Sequence, residues 1–387
     1  MLSRDLRRSH LPYDLLYETV ALLDFETLKS FSLVSRDCRL ASSSRLWKAF
    51  TICIDYRFTR GNYKLGSEFL QLITRFIIVK PRAGHIQDLR IRLHSPIGPP
   101  KGGELMVMQG IDYLFEGIRR LTNLRSLEFH ILVHQRDFAH ALRGMTFSPH
   151  LERFATNLHS AQVRSFDELF LTMQSIKSIR WMTNSTVFQS EMPISPLRNP
   201  LPNLTELIVC SVSYTALMCG SPVTHLTIHD LKAEDPPGIL KHIQLSTRDL
   251  THLEVHVDLN VRSPTISLCP DLIQHIPSLR YLRMSHRCWT ETHSEEGFES
   301  LRILGDLPFL REFVWTGGSS YWHDQLLDMM ERGRFSSLQR AIFGPSRPTG
   351  DKTKYLIREN GKAVLTEVLK GVYLTTRPRH SEVSSTL

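Results

Sequence analysis

Cys210, His225, His229, His252, Glu254 and His256 are the residues whose types and spacing come nearest to a chemical site. Within each His segment the imidazoles are four residues apart, so in an extended strand they share a face. His225 would then lie beside His252. Cys210, His229 and His256 would form a row across three adjacent strands with Glu254 between. Imidazoles and a thiol so placed can ligate zinc. A His-rich face is more often a polar recognition surface, and that is the reading carried forward: no metal and no cofactor is expected. The rest of the chain has no nucleophile elbow, no phosphate-cradling glycine loop with its Lys and no metalloprotease helix. Gly102-Gly103 follows prolines and reads as a turn, and Glu295-Glu296 reads as solvated loop charge. No enzyme is expected.

The elements that would position these residues come from a repeat. From residue 86 onward an apolar residue is followed by another three positions later and a third two positions after that. The instances are Ile86/Leu89/Ile91, Leu124/Leu127/Phe129, Leu151/Phe154/Thr156, Ile176/Ile179/Trp181, Leu204/Leu207/Val209, Val223/Leu226/Ile228, Leu250/Leu253/Val255, Leu279/Leu282/Met284, Leu310/Phe313/Trp315 and Leu338/Ala341/Phe343. Alternation inside each unit is a strand signal, and intervening segments such as 167–174 and 321–332 read as helices. Lead-ins such as Leu201-Pro202-Asn203, Ile276-Pro277-Ser278 and Leu307-Pro308-Phe309 end one helix before the next strand begins. The pattern predicts α/β architecture, with parallel strands and outer helices stacked into a solenoid.

A period of about 25 to 31 residues resembles that of leucine-rich repeats. The resemblance implies a curved parallel sheet over 86–345. Asn184 alone matches the family's Asn after the strand, and irregular spacing implies an uneven horseshoe. An unrelated α/β domain with parallel strands is the alternative. Residues two, four and six after each first anchor would face away from the core. Arg90, Arg92, Arg153, Arg180, Tyr281 and Arg283 fall there and are the expected contacts to a target protein, Arg and Tyr being common hot-spot types. Three long interruptions, 95–103, 191–202 and 288–300, are candidates for recognition loops or tolerated insertions. A capping helix is expected from about 352 to 369 within a C-terminal region 346–387, with an unstructured tail from 377.

The first fifty residues differ in kind. Pro12 stands where a first helical residue belongs, and Leu15, Leu16, Thr19, Leu22 and Leu23 follow at helical spacing. Asp24 should cap a second helix with Leu28, Phe31 and Leu33-Val34 as its buried stripe. Ser35 should cap a third helix through Leu40, and Trp47 follows. Helices this short cannot bury all their apolar surface alone. The order Leu11-Pro12, Leu15-Leu16, Leu28, Leu33-Val34-Ser35-Arg36 and Leu46-Trp47 resembles the F-box, the module that docks substrate receptors on the Skp-family adaptor of cullin-RING ubiquitin ligases. Asp14 stands where that family usually has Glu, and Cys38 where it often has Trp.

This resemblance implies adaptor contacts from Leu11, Pro12, Leu15, Leu16, Leu28, Leu33, Val34 and Trp47. It implies a substrate-recognition subunit that brings an unknown target protein to an SCF-type ligase for ubiquitin-dependent degradation. A non-catalytic scaffold is the alternative, with helices that bind the adaptor outside a ligase or only cap the solenoid. The expected organisation is an adaptor-binding domain at 1–50, a connecting and cap region at 51–85, repeats at 86–345 and the C-terminal region.

Composition agrees with a large soluble protein. The 387 residues are 41% hydrophobic, enough for a core well beyond the helical module. The formal charge of +8 is scattered and forms no basic arm, so nucleic acid is not an expected partner. The six cysteines lie far apart and read as reduced thiols. Arg4, Arg7 and Arg8 are followed by Asp14 and Glu18 instead of an apolar run, so no signal peptide is expected. Apolar runs such as Phe76–Val79 are too short to span a bilayer. The expected compartment is the cytoplasm, the nucleus or both.

Overall fold

Every one of the ten sequence triplets coincides with a strand. The computed structural model describes residues 12–55, 68, 70–75, 82–94, 103–132, 147–158, 166–183, 194–231, 236–257, 275–286, 302, 304–316, 322–344, 353–359 and 362–368. The chain divides into two units: residues 1–208 with 220–222, and residues 209–219 with 223–387.

The first unit opens with α1 (Tyr13–Leu22), α2 (Phe25–Phe31) and α3 (Arg36–Leu46). Pro12 is the residue before α1 rather than its first helical residue, and its carbonyl accepts from the Leu16 amide at 3.2 Å. Its fixed φ of −53° suits either place. Asp24 caps α2 by accepting from the Thr27 amide at 2.9 Å and from the Thr27 hydroxyl at 2.8 Å. These bonds hold its carboxyl below the usual carboxylate range. Ser35 caps α3 through the Cys38 amide at 3.1 Å. Leu16, Val20, Leu28, Cys38 and Ala41 form the core of this bundle, with Leu23, Phe31 and Leu46 against it. Arg45 ties the bundle together by donating to the Val20 and Leu23 carbonyls at the end of α1, where a cation also suits the helix dipole.

Two expectations are corrected here. Leu33 and Val34 are not a buried stripe: they are 76% and 73% exposed, because α2 ends at Phe31 and both lie in the turn that follows. α3 runs on past Leu40 to Leu46, since nothing between breaks a helix.

Only two residues then separate α3 from β1 (Ala49–Asp55). A short helix α4 (Arg82–His85) precedes β2 (Asp88–His94), and α5 (Gly103–Arg119) leads to β3 (Ser126–Leu132). β4 (Arg153–Thr156), α6 (Phe166–Phe170), β5 (Ser178–Trp181) and β6 (Glu206–Val209) complete the series. β1 to β5 pair parallel, each with the next. The sheet therefore begins at Ala49, at the end of the expected 1–50 domain, and runs into the segment taken as a connecting region at 51–85. β1 escaped the triplet search because its lead-in is the end of α3, although Ile52 is 1% exposed like any later anchor.

In the second unit a 3-10 helix (Val212–Met218) precedes β7 (His225–Leu231). α7 (Pro236–Gln244), β8 (His252–Val257), β9 (Tyr281–His286), β10 (Glu312–Thr316), α8 (Trp322–Glu331) and β11 (Arg340–Gly344) follow. β7 to β11 are parallel, and the chain ends in antiparallel β12 (Thr353–Glu359) and β13 (Lys362–Val368). The expected capping helix at 352–369 is thus a hairpin. Glu359 pairs with Lys362 across Asn360-Gly361, a dipeptide that favours two-residue hairpin connections. β-branched Thr353, Ile357, Val364, Thr366 and Val368 add strand preference that helical spacing alone overlooked.

A regular hydrogen-bond pattern underlies the repeat. The first two amides entering a strand converge on one carbonyl of the strand before: Arg125 and Ser126 on Gln87, Glu152 and Arg153 on Arg125, Lys177 and Ser178 on Glu152. The second unit does the same, with Arg280 and Tyr281 on Thr251 and with Arg311 and Glu312 on Arg280. Side chains add a ladder just upstream. Asn123 donates to the Gly84 carbonyl at 2.7 Å, Ser175 to Pro149 at 2.5 Å, Asn203 to Gln174 at 2.9 Å, and Ser337 to Pro308. A fourth apolar anchor lies three residues before most of the triplets, as at Leu121, Met173, Leu201, Ile276, Leu307 and Phe335, all buried. In the first unit Phe154, Phe166 and Phe170 close around Trp181 at ring separations of 6.0, 5.1 and 6.3 Å. Thr156 sits in an anchor position, 1% exposed, with its hydroxyl accepting from the Leu158 amide at 3.2 Å.

The 95–102, 191–193 and 288–300 parts of the three interruptions, Asn184 and the tail from 377 lie outside the described residues. Among the described residues no helix is long and apolar enough to cross a membrane.

Ile179 is fully buried, so Ile179→Ala should destabilise the first unit by about 2–5 kcal/mol through lost burial and the cavity left behind. Ser35→Ala should cost about 1 kcal/mol by removing the α3 cap. Urea unfolding followed by circular dichroism measures both, and equal effects for the two variants would contradict this description.

Candidate functional site

Two surfaces gather the candidate residues, one on the N-terminal helices and one on the strands. On the helices, Leu15 is 48% exposed, Leu22 87%, Leu33 76% and Val34 73%. Tyr13, Tyr17, Phe25 and Leu40 are also largely exposed. Scattered apolar side chains on a surface are ordinary, but this many gathered on one small helical module are not. Of the residues expected to touch an adaptor, Pro12, Leu15, Leu33 and Val34 are accessible. Leu16 and Leu28 instead hold the bundle core, at 5% and 1% exposure. Their role is to position the accessible ones. Trp47 is half-buried with its ring 6.1 Å from Phe50, and Leu11 lies outside the described residues.

Sequence spacing missed Tyr13, Tyr17, Leu22, Phe25 and Leu40 as surface candidates. Leu15 and Leu22, seven residues apart, share a helical face and carried the signal. The core face of α1 is only Leu16 and Val20. Tyr13 is anchored by its hydroxyl donating to Asp37 at 3.0 Å, and that bond raises the phenol's pKa. Lys29 lies 4.5 Å from the Phe25 ring centroid and pairs with Glu26 at 2.7 Å.

On the strands of the first unit, register aligns Asp88, Ser126, Arg153 and Ser178 in one row and Arg90, Glu128, Ala155 and Arg180 in the next. The expected target contacts Arg90, Arg92, Arg153 and Arg180 do share this face. Three of them are already engaged. Glu128 receives Arg90 at 3.3 Å, Arg92 at 2.9 Å and His130 at 3.4 Å. Arg153 reaches over Ser126 to Asp88 at 2.9 Å. Arg180 is exposed beside Ala155 and has no ion pair among the described residues.

In the second unit, one row runs His225, His252, Tyr281, Glu312, Arg340 and another Thr227, Glu254, Arg283, Val314, Ile342. Tyr281 stacks on His252 with centroids 5.7 Å apart. Arg283 lies 4.0 Å from Glu254, and its Nε has no hydrogen-bond partner. Arg340 pairs with Glu312. Val314 and Cys210, both placed on the exposed face by residue arithmetic, are 8% and 5% exposed. His225 and His252 stack at 4.0 Å, and His229 and His256 at 4.4 Å. The imidazoles lie ring over ring instead of aiming their nitrogens at one point. Among the described residues no three of His, Cys, Asp and Glu come together as a metal site.

Shallow clefts along the strand entry edge of the first unit, about 270 and 240 Å³, are lined by Gln87, Asn123, Arg125, His150, Glu152 and Lys177 among others. The ladder already occupies Asn123. No family model matches the chain, and no curated protein is similar to it.

Glu128 is the centre of charge on the first unit's strand face, yet the arginines it holds are about two-fifths exposed. Glu128→Ala should therefore cost less than about 1 kcal/mol, and the cost should shrink between about 0.1 and about 1 M NaCl. A salt-independent loss in urea unfolding would mean that Glu128 supports the core instead.

Proposed function

We propose that the protein is a substrate receptor of an SCF-type cullin-RING ubiquitin ligase, with its N-terminal helices on a Skp-family adaptor and its strand faces on a target protein. The observation that carries this reading is the helical module. Its core is closed by Leu16, Val20, Leu28, Cys38 and Ala41, while Leu15, Leu22, Leu33 and Val34 stay exposed at 48% to 87%. Such side chains gain about 1.5–3 kcal/mol each on full burial, so a partner that covers several of them binds stably. The F-box resemblance names an adaptor as that partner. The regular strand repeat behind it offers two faces of Arg, His, Glu and Tyr, which suits recognition of a protein surface. The protein would act as a bridge, with ubiquitin transfer performed by other subunits in the cytoplasm or nucleus.

A second reading has its own support. α3 is joined to β1 by two residues, and the Lys48 carbonyl between them accepts from the amides of Gln87 and Asp88, both at 2.9 Å. The helices are thus continuous with the first strand, as expected of a scaffold whose helices cap the repeats or bind an adaptor outside a ligase.

Co-purification of the full chain with adaptor and cullin decides between them. Leu33→Asp with Val34→Asp places charge at two exposed positions, so it should leave the melting temperature within a few degrees while weakening adaptor binding more than about tenfold. Adaptor without cullin would favour the scaffold. Adaptor binding that survives removal of residues 1–50 would refute the ligase reading.

A further inference from the structure

The strand entry edge of the first unit holds two adjoining clefts, of about 270 and 240 Å³, and Arg125 and His150 line both. The residues just ahead of β2, β3, β4 and β5 form a row, Gln87, Arg125, Glu152 and Lys177, in which Glu152 lies between two cations. Its carboxylate pairs with Lys177 at 3.3 Å. Arg125 is exposed, and its side chain makes no ion pair or hydrogen bond among the described residues. Two cations against one carboxylate leave one positive charge unmatched, and it is permanent because a guanidinium keeps its proton. An exposed arginine is ordinary by itself, but this one borders both clefts.

Every described residue that lines the clefts is polar. Asn123, Ser175 and Asn203 are fixed there by their bonds to the Gly84, Pro149 and Gln174 carbonyls. An Asn amide that donates one N–H in this way keeps a second N–H and its carbonyl oxygen for a ligand. Such a lining has no place for an apolar side chain. It suits peptide groups, which both donate and accept, and an oxyanion on the guanidinium.

We propose that this edge is a binding site for the free C-terminus of a polypeptide, with the terminal carboxylate on Arg125 and the last peptide groups on the amides beside it. One negative charge answers the one unmatched positive charge, whereas a phosphate monoester would bring nearly two. A guanidinium takes a carboxylate through two parallel N–H···O bonds, and His150 adds a further N–H. A free terminus carries its carboxylate on the main chain itself, so the peptide groups behind it reach amides across one strand spacing, about 4.8 Å. Bonds to carbonyls already orient Asn123 and Asn203, so docking freezes few side chains. The site is open to solvent and its affinity is modest. The proposal goes beyond the ligase reading, since no residue of the helical module takes part.

Calorimetry of the full chain with N-acetyl-triglycine and with its C-terminal amide tests this in about 0.1 M NaCl, where exposed charges are only partly screened. The free acid should bind with a Kd on the order of 1 mM, and the amide at least about tenfold more weakly. Arg125→Gln should erase that difference and Arg125→Lys should restore part of it, because an ammonium keeps the charge and loses the fork. Arg311→Gln, at an exposed arginine of the second unit, should leave it unchanged. Should Arg125→Gln not fold, arginine Nε–H NMR of the wild type serves instead: the signal absent from Arg125→Lys should shift with the acid and stay with the amide. Equal binding of acid and amide, or a preference that survives Arg125→Gln, would overturn the proposal. So would N-acetyl-Gly-Glu-Gly-amide binding as tightly as the free acid, which assigns the site to acidic side chains, or inorganic phosphate binding more tightly, which makes it a general anion site. Adaptor binding separates the two readings. Its loss with the acid preference intact counts against the ligase reading alone, and the reverse counts against this site.

Discussion

Most of the parallel strands in both units start where two successive amides converge on the single carbonyl just ahead of the strand before, and the rest of the structure depends on that junction. Arg125 and Ser126 on Gln87, and Arg280 and Tyr281 on Thr251, are instances of one geometry. It fixes register at the entry of the strand through backbone groups alone. A one-residue slip would move every anchor to the exposed face and every outward-facing residue to the core. The side-chain ladder of Asn123, Ser175, Asn203 and Ser337 satisfies further carbonyls at the same edge. Unpaired carbonyls there would be costly because the neighbouring positions, Leu121 or Leu201 for example, are dry.

Once register is set, chemistry on the strand faces becomes a matter of rows. Glu128 can hold two arginines because it lies between Arg90 and Ala155 in a row, with Arg92 and His130 in the next. The imidazole stack of His225, His252 and Tyr281 exists because three consecutive strands place aromatic rings at the same row. Neither cluster could survive in an element whose register was loose. The irregular lengths between strands are tolerated for the same reason: the junction constrains strand starts and leaves the outer connections free.

Much of this was legible in the sequence because the strands are short and buried on one face. Leu279/Leu282/Met284 announces β9 with no help from neighbours, and its alternation places Tyr281 and Arg283 outside. The failures have particular causes. β1 lacks the usual lead-in, so Ile52 had no triplet around it. Residues 353–368 were read by helical spacing, whereas Asn360-Gly361 and the β-branched residues around it pointed to a hairpin. Leu33-Val34 looked like core because hydrophobicity alone does not reveal where a helix stops. The sequence gives neither Asn123 nor Asn203 a role, since a hydrogen bond to a carbonyl 39 or 29 residues away leaves no local mark.

The histidines illustrate a deeper limit on such reading. Sequence arithmetic correctly set His225 beside His252, and the same arithmetic suggested a metal site. What separates a ligand set from a stack is the direction of the rings, and that is decided by Thr224, Thr251 and Ser285, residues that carry no signal of their own. A hydroxyl on Nδ1 turns each imidazole flat against its neighbour, so the pair shares one environment. The character of this face, rings laid flat across strands instead of a ligand cage, therefore follows from strand register and three hydroxyls as much as from the imidazoles themselves.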